Sequence, residues 1–296
     1  MSLPGVVATV AALRERVTAW RTAGDRIALV PTMGALHEGH LALARCARAE
    51  AERVVVSIFV NPKQFAAGED FASYPRAGES DRTLLAGIAD LVFAPNSDVM
   101  YPPGFATTVS VGGPSEGWEA AARPGHFAGM TTVVAKLLIQ AAPDIAVFGA
   151  KDWQQLQVVR RMTRDLDLPV AILAHETVRD PQGLALSSRN AYLSPSEIAT
   201  ARRLNGVLRS VGDDLGRIPV ARALDGGRAA LASLGFGPLD YLALADADTL
   251  EPLDRMEEGR PARLLVAVRL GPVRLLDNIG VDAPPHPTAA TDADAG

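Results

Sequence analysis

Short apolar runs alternate with amphipathic stretches through residues 5–175. Residues 5–23 mix apolar and charged positions at helical spacing and predict a helix. Residues 26–30 (RIALV) form an apolar run that stops at Pro31, which predicts a buried strand. A helix is expected over 40–52 and a β-branched strand over 54–60. Strand, turn, helix and strand so close together make a βαβ unit. The alternation continues with strands at 90–94, 144–148 and 170–174, and helices at 131–142 and 153–166. Strands that are apolar throughout, between helices, imply an α/β fold: a Rossmann-like, mostly parallel sheet with helices on both faces. Ligands of such sheets bind beyond the carboxyl ends of the strands. The segments after Val30, Val60, Phe148 and Ala174 are therefore where chemistry is expected.

The pattern changes after about residue 178. One long helix is expected over 194–215, another over 218–234, then strands at 240–245 and 263–269. This predicts a smaller C-terminal α+β domain over 178–282, after a ligand-binding domain over 1–177. The last stretch, 283–296, is rich in Pro, Ala, Thr and Asp and reads as a disordered tail.

Composition narrows the function classes. A net charge of -5 gives no basic excess for nucleic acid, although a locally basic pocket for small anions stays open. The single cysteine, Cys46, can form no disulfide within the chain and reads as a small buried hydrophobe. No signal-peptide pattern and no apolar run of about 18 residues is seen. A cytoplasmic location without membrane association is expected.

The first strand runs into Pro31, Thr32, Met33, Gly34, Ala35, Leu36, His37, Glu38, Gly39 and His40. Two imidazoles lie three residues apart at a helix mouth, where unpaired N–H groups favour anions. Glycines there let backbone approach a ligand. Such imidazoles can donate to phosphate oxygens and stabilise developing charge. A zinc-protease helix needs His-Glu-x-x-His; His-Glu-Gly-His is one residue short, so no protein-held metal is expected.

The later strand ends carry further candidates. Asn61 and Gln64 are amides past a strand, placed to orient a small polar substrate, though Asn-Pro is also a common turn pair. Tyr74, Pro75 and Arg76 are either loop or pocket wall. Arg123 and His126, flanking Pro-Gly, are either loop filler or the gate of an anionic site. Gly149, Ala150, Lys151 and Asp152 follow another strand; Lys151 suits a phosphate, while Asp152 also suits a helix cap. Gln155 falls one turn into that helix. Leu186, Ser187, Ser188 and Arg189 suit phosphate binding, or form a polar capping loop.

His-x-Gly-His after a first strand resembles the signature of the nucleotidyltransferase superfamily. PTMGALHEGH (31–40), VVVSIFVNPKQF (54–65), RPGHFAGM (123–130), GAKDWQQL (149–156) and GLALSSRNAYLSP (183–195) together resemble the pantothenate synthetase family, in order and spacing, from about residue 5 to 282. The resemblance implies ATP-dependent condensation of pantoate with β-alanine through a pantoyl adenylate, giving AMP and pyrophosphate, with Mg²⁺ accompanying ATP and a homodimer as the assembly. It implies that residues 31–40, Gly149, Ala150, Lys151, Asp152, Val178, Leu186, Ser187, Ser188 and Arg189 bind ATP, with His40, His37, Lys151 and Arg189 as the catalytic set. His40 takes the proton-donor role. Gln64 and Gln155 would contact pantoate, Gln64 also β-alanine, with Asn61, Arg123 and His126 beside them. The junction at 178–190 is the expected hinge, with Leu186 to Arg189 closing over the phosphates.

Three positions depart from the family pattern. Ala150 replaces a glutamate, Leu186 a methionine, and Trp153 a tyrosine or phenylalanine. Other readings are a phosphopantetheine adenylyltransferase, a tRNA synthetase or a non-catalytic binding protein on the same fold. The NPKQF and GAKDWQQL segments, the acidic charge and the intact histidines, Lys151 and Gln64 speak against them.

Overall fold

A computed structural model describes residues 2–66, 68–69, 71–75 and 77–282. Arg76 and the proposed tail at 283–296 lie outside the described residues. β1 (Gly5–Val7) comes first, and the apolar runs become β2 (Ile27–Thr32), β3 (Arg53–Ile58), β4 (Leu91–Phe93), β5 (Ile145–Gly149) and β6 (Ala171–His175). Among the described residues these form one sheet, ordered β1-β4-β3-β2-β5-β6, with every pairing parallel. Its helices are α1 (Val10–Thr22), α2 (Glu38–Glu50), α3 (Gly78–Leu84), α4 (Ser97–Met100), α5 (Trp118–Ala122), α6 (His126–Ala141) and α7 (Trp153–Asp165).

The two-residue period of β2 serves both faces. Ile27 and Leu29 enter the core built with α1, α6 and α7, while Ala28 and Val30 enter the one built with α2. β2 lies between β3 and β5. The chain leaves it outward to β3 and β4, then crosses back to β5. The crevice at the carboxyl ends of β2 and β5 is the switch point where such sheets bind ligands.

The rest forms α8 (Pro195–Ala201), α9 (Leu204–Asp214) and α10 (Val220–Ser233), packed on an antiparallel sheet β7-β8-β9. Its strands are β7 (Leu239–Asp246), β8 (Ala262–Leu270) and β9 (Val273–Val281), with an apolar core of their own.

Several elements differ from the sequence expectation; α3, α4 and α5 were not expected, and three further differences have a visible cause. Residues 5–7 pair with β4 instead of opening a helix, because Thr9 caps α1, accepting from the Ala12 N–H at 3.2 Å. The long helix expected over 194–215 is interrupted between Ala201 and Leu204; Arg202, at the break, donates to Asp180 at 2.7 Å. β9 was not expected at all. Arg274, Asp277 and Asn278 break its apolar pattern, and all three face the candidate site.

Candidate functional site

The switch-point crevice opens into a cleft of about 280 Å³, the scale of a small-molecule site. One wall comes from the parallel sheet and the other from 178–190 and the C-terminal sheet.

After β2 the chain turns sharply. Gly34 has φ +83° and Ala35 +51°, the left-handed region that suits glycine. Asp81 of α3 holds this turn: its carboxylate accepts from the N–H groups of Ala35 at 2.9 Å and Leu36 at 2.8 Å, and it is 1 % exposed. Gly34, Ala35 and Leu36 therefore shape the loop without lining the cleft. Glu38 does not line it either; it is exposed and pairs with Arg45, which lowers its pKa.

The two imidazoles do face the cleft. His37 is the N-cap of α2, and its Nδ1 accepts the Gly39 N–H at 3.1 Å. The Nδ1 of His40 accepts the His37 N–H at 3.4 Å. With both Nδ1 atoms accepting, the network assigns each proton to Nε2, leaving one N–H donor per ring. The rings lie 4.1 Å apart, centroid to centroid. Burial, then Lys151, pushes His37 down to about 4. Burial, then His37, pushes His40 down to about 3; Asp152 opposes this shift and Lys151 adds to it. Both are neutral at pH 7, so they act as hydrogen-bond donors and not as cations.

Past β3, the turn at 62–64 lies directly under α6. A Cβ at Gly129 would stand 2.0 Å from the Lys63 carbonyl oxygen, so glycine allows this approach. Asn61 is 1 % exposed and does not line the cleft. Its amide donates to Gln64 Oε1 at 3.0 Å and to the Gly129 carbonyl at 3.1 Å, and its oxygen accepts from Tyr101 at 2.6 Å. Asn61 thus orients Gln64, which does face the cleft and donates to Met33 Sδ at 3.2 Å. Arg123 and His126 line the cleft but also hold this turn. Arg123 makes a two-pronged ion pair with Glu69 at 2.8 and 2.6 Å. His126 Nδ1–H donates to the Gln64 carbonyl at 2.9 Å, leaving Nε2 to accept from Arg123 at 3.2 Å. Burial, then Arg123, lowers the His126 pKa.

Past β5, Gly149, Lys151, Asp152 and Gln155 line the cleft. Lys151 stands 3.4 Å from Asp152. Burial would raise the Asp152 carboxyl, but Lys151 and then Arg189 outweigh it and hold the pKa below its ordinary value. Ala150 is fully buried, and its carbonyl accepts from Asn278 at 3.0 Å. Trp153 donates its indole N–H to the Ala247 carbonyl at 2.8 Å, and Arg263 stacks on its ring at 3.7 Å. The indole, unlike tyrosine or phenylalanine, ties α7 to the C-terminal part in this way.

The opposite wall carries Val178, Leu186, Ser187, Ser188 and Arg189. Residues 178–186 form a hairpin, closed by Leu186 N–H to the Val178 carbonyl at 2.9 Å. Arg179 pairs with Asp277 at 2.6 and 2.7 Å, and Asp180 with Arg202 at 2.7 Å, so the hairpin is bound to the C-terminal sheet and helices. The Arg189 guanidinium lies 5.8 Å from the Tyr74 ring. Residues not anticipated from sequence complete the cleft: Glu119, Tyr241, Arg274, Asp277 and Asn278. Glu119 of α5 accepts from Arg274 at 2.8 and 2.6 Å and from Tyr241 at 2.8 Å, joining the two parts of the chain. A polar cluster within the hydrophobic run of β9 was the one available signal.

His40, Lys151 and Arg189 share this cavity. Among the described residues, no group of three or more His, Cys, Asp or Glu side chains could hold a metal ion, and no helix is long and apolar enough to cross a membrane.

A family model described as pantoate-beta-alanine ligase matches residues 5–280. A pantothenate synthetase of Rhizorhabdus wittichii is 54 % identical over 282 residues, covering 95 % of this chain and 99 % of the relative. One of Caulobacter vibrioides is 53 % identical, covering 95 % and 100 %. The crystal structure of the Thermus thermophilus pantothenate synthetase superposes with a TM-score of 0.86 at 49 % identity, covering 93 % of this chain and 98 % of that one. A pantoate-beta-alanine ligase from Francisella tularensis, solved with beta-gamma ATP and beta-alanine, gives 0.77 at 31 % identity, covering 93 % and 97 %.

Proposed function

The chain belongs to the pantoate-beta-alanine ligase family, and from that premise we propose how its cleft works. The enzyme makes pantothenate from pantoate, β-alanine and ATP. In the proposed sequence, a pantoate carboxylate oxygen attacks the α-phosphorus of ATP. The bond to the bridging oxygen breaks and pyrophosphate leaves. The β-alanine nitrogen then attacks the acyl carbon of pantoyl adenylate, AMP departs, and the nitrogen loses a proton.

The first step brings two anions together, so it needs donors and cations placed beforehand. His37 and His40 offer neutral Nε2–H donors to phosphate oxygens. Lys151 supplies the nearest point charge, and Ser187, Ser188 and Arg189 meet the remaining phosphates. Pro31, Thr32, Met33, Gly39, Gly149, Asp152, Val178 and Leu186 line the nucleotide's place, while Gly34, Ala35, Leu36, Glu38 and Ala150 act only through the backbone they shape. Gln64 and Gln155 hold pantoate, and Gln64 then meets β-alanine. Asn61 fixes Gln64 from behind, while Arg123 and His126, which line the same cleft, fix Gln64 and stand beside pantoate and β-alanine. We place the divide between domains after Thr177, at the start of the hairpin that Arg179 and Asp180 bind to the C-terminal part.

Mg²⁺ fits as a passenger of the nucleotide. Mg²⁺ commonly binds through substrate phosphates and one or two carboxylates, and Asp152 is an ionised carboxylate on the cleft wall. When bound, the ion offsets phosphate charge. On the resemblance alone, the working form is a cytoplasmic homodimer; light scattering at the mass of one chain would end that part.

One observation carries the reading: two imidazoles with both Nδ1 atoms occupied by backbone share a cavity with Lys151 and Arg189. The test is pyrophosphate release from ATP and pantoate. The enzyme should release it in a first turnover without β-alanine and cycle only when β-alanine is added. His40→Ala and Lys151→Ala should each lose about 100-fold or more while staying folded. Wild-type turnover in both would remove the assigned roles.

A further inference from the structure

Asp277 and Asn278 sit side by side in β9, and each is 3 % exposed. Burying an amide and a carboxylate in a strand is costly unless every bond is answered. Here they are answered in two directions. Asn278 Nδ2 donates to two successive carbonyls, Ala150 at 3.0 Å and Lys151 at 2.7 Å. Its Oδ1 accepts from Arg263 Nε at 2.7 Å; an arginine only donates, so the amide cannot be turned the other way. Asp277 accepts from Arg179 at 2.6 and 2.7 Å and from the Asn278 N–H at 2.7 Å. Arg179 bridges to Ala185 across the hairpin whose next residues are Leu186 to Arg189.

We propose that Asp277 and Asn278 are a positioning pair that sets the Lys151 turn and the 186–189 segment against each other. This rests on the phosphate roles proposed above for Lys151 and Arg189. The pair acts through backbone and through Arg179. One edge of β9 thereby fixes the spacing between two cationic segments that come from separate parts of the chain. Small displacements of such groups weaken the chemical step far more than they weaken the fold.

The test is a pair of double-mutant cycles on the first step, read as single-turnover pyrophosphate release. Asn278→Ala should lower its rate constant roughly tenfold, with KM for β-alanine unchanged to within about twofold and the thermal midpoint moved by only a few degrees. In a Lys151→Ala background the same substitution should cost less than about twofold, because it acts through the lysine. Asp277→Asn should behave likewise against Arg189→Ala. If Asn278→Ala does not fold, Asn278→Ser, which keeps one donor, is read in its place. Wild-type rates in the Asn278 variant, or losses that multiply in the double variant, overturn the proposal alone. A fully active Lys151→Ala overturns the site reading and the proposal with it.

Discussion

The two walls of the cleft present donors to one space but hold them by different means. On the parallel-sheet side, His37 and His40 are uncharged and pinned by backbone: each Nδ1 accepts an N–H of their own turn, and Asp81 grips the loop from behind. On the C-terminal side the groups are held by ion pairs, Arg179 with Asp277, Asp180 with Arg202 and Arg274 with Glu119. The first wall is rigid because it is built from the strand end itself. The second reaches the site from another part of the chain, and its position depends on a few long-range charged contacts. Rigid donors suit the α-phosphate, where geometry decides rate. Charged groups on a separable wall suit holding and releasing a polyphosphate.

Removing the support of the first wall should have the largest effect. Asp81→Ala leaves the Ala35 and Leu36 N–H groups without their acceptor in a loop that Gly34 has already bent. A lost bond to a charged acceptor costs about 1.5–3 kcal/mol, so a destabilisation of about 2–5 kcal/mol is expected by urea denaturation. Activity should fall with it even under conditions where the protein stays folded. Wild-type stability and rate would mean that the loop is held by its own backbone.

The same difference decides what the sequence reveals. The parallel unit was legible because its strands are apolar throughout and its chemistry lies next to them in the chain: Val30 precedes the histidines and Phe148 precedes Lys151. Asp81 was not legible. It lies over 40 residues from the N–H groups it serves, in a short helix with no periodic pattern. β9 was missed because Arg274, Asp277 and Asn278 interrupt the alternation that marks a strand. Those residues break the local rule because they serve the site, which is where such rules are expected to fail. Asn61 shows the opposite limit. A polar residue just past a strand looked like a substrate contact, but nothing in the sequence could tell that its hydrogen bonds are already taken by Gln64, Gly129 and Tyr101.

The seam between the walls can be weakened at Glu119, where the two parts of the chain meet. Glu119 receives Arg274 and Tyr241, and burial and Glu119 together raise the tyrosine pKa well above its ordinary value. Glu119→Gln keeps the shape and removes the charge, while Asp240 still answers Arg274 at 2.5 Å. A loss of about 1–3 kcal/mol is expected, smaller than for an unpaired buried charge. The kinetic signature should be a raised KM for ATP with a nearly unchanged rate for bound substrates. A fall in that rate with KM unchanged would mean that the seam places the catalytic groups themselves.

Acid should separate the two walls, with the smallest step at any one pH unit. An unfolded histidine titrates near 6.5, whereas burial holds His40 at about 3 and His37 at about 4 in the folded protein. On acidification the unfolded chain takes up these protons first. Stability therefore declines as pH falls from about 6.5 towards 4, and the two imidazoles impose no such slope above that range. The ion-paired carboxylates act lower down. Asp180 has its pKa depressed, chiefly by the hydrogen bond from Arg202 overcoming burial, and its contribution is lost only as pH drops through the carboxylate range. Denaturation at a series of pH values should show the earlier decline, with His40 alone supplying about 1 kcal/mol per pH unit. His40→Gln should flatten that part of the curve and leave the lower limb unchanged. Parallel curves for the two proteins would show that His40 is not held neutral by burial, and the contrast between uncharged, backbone-pinned imidazoles and ion-paired groups would then fail.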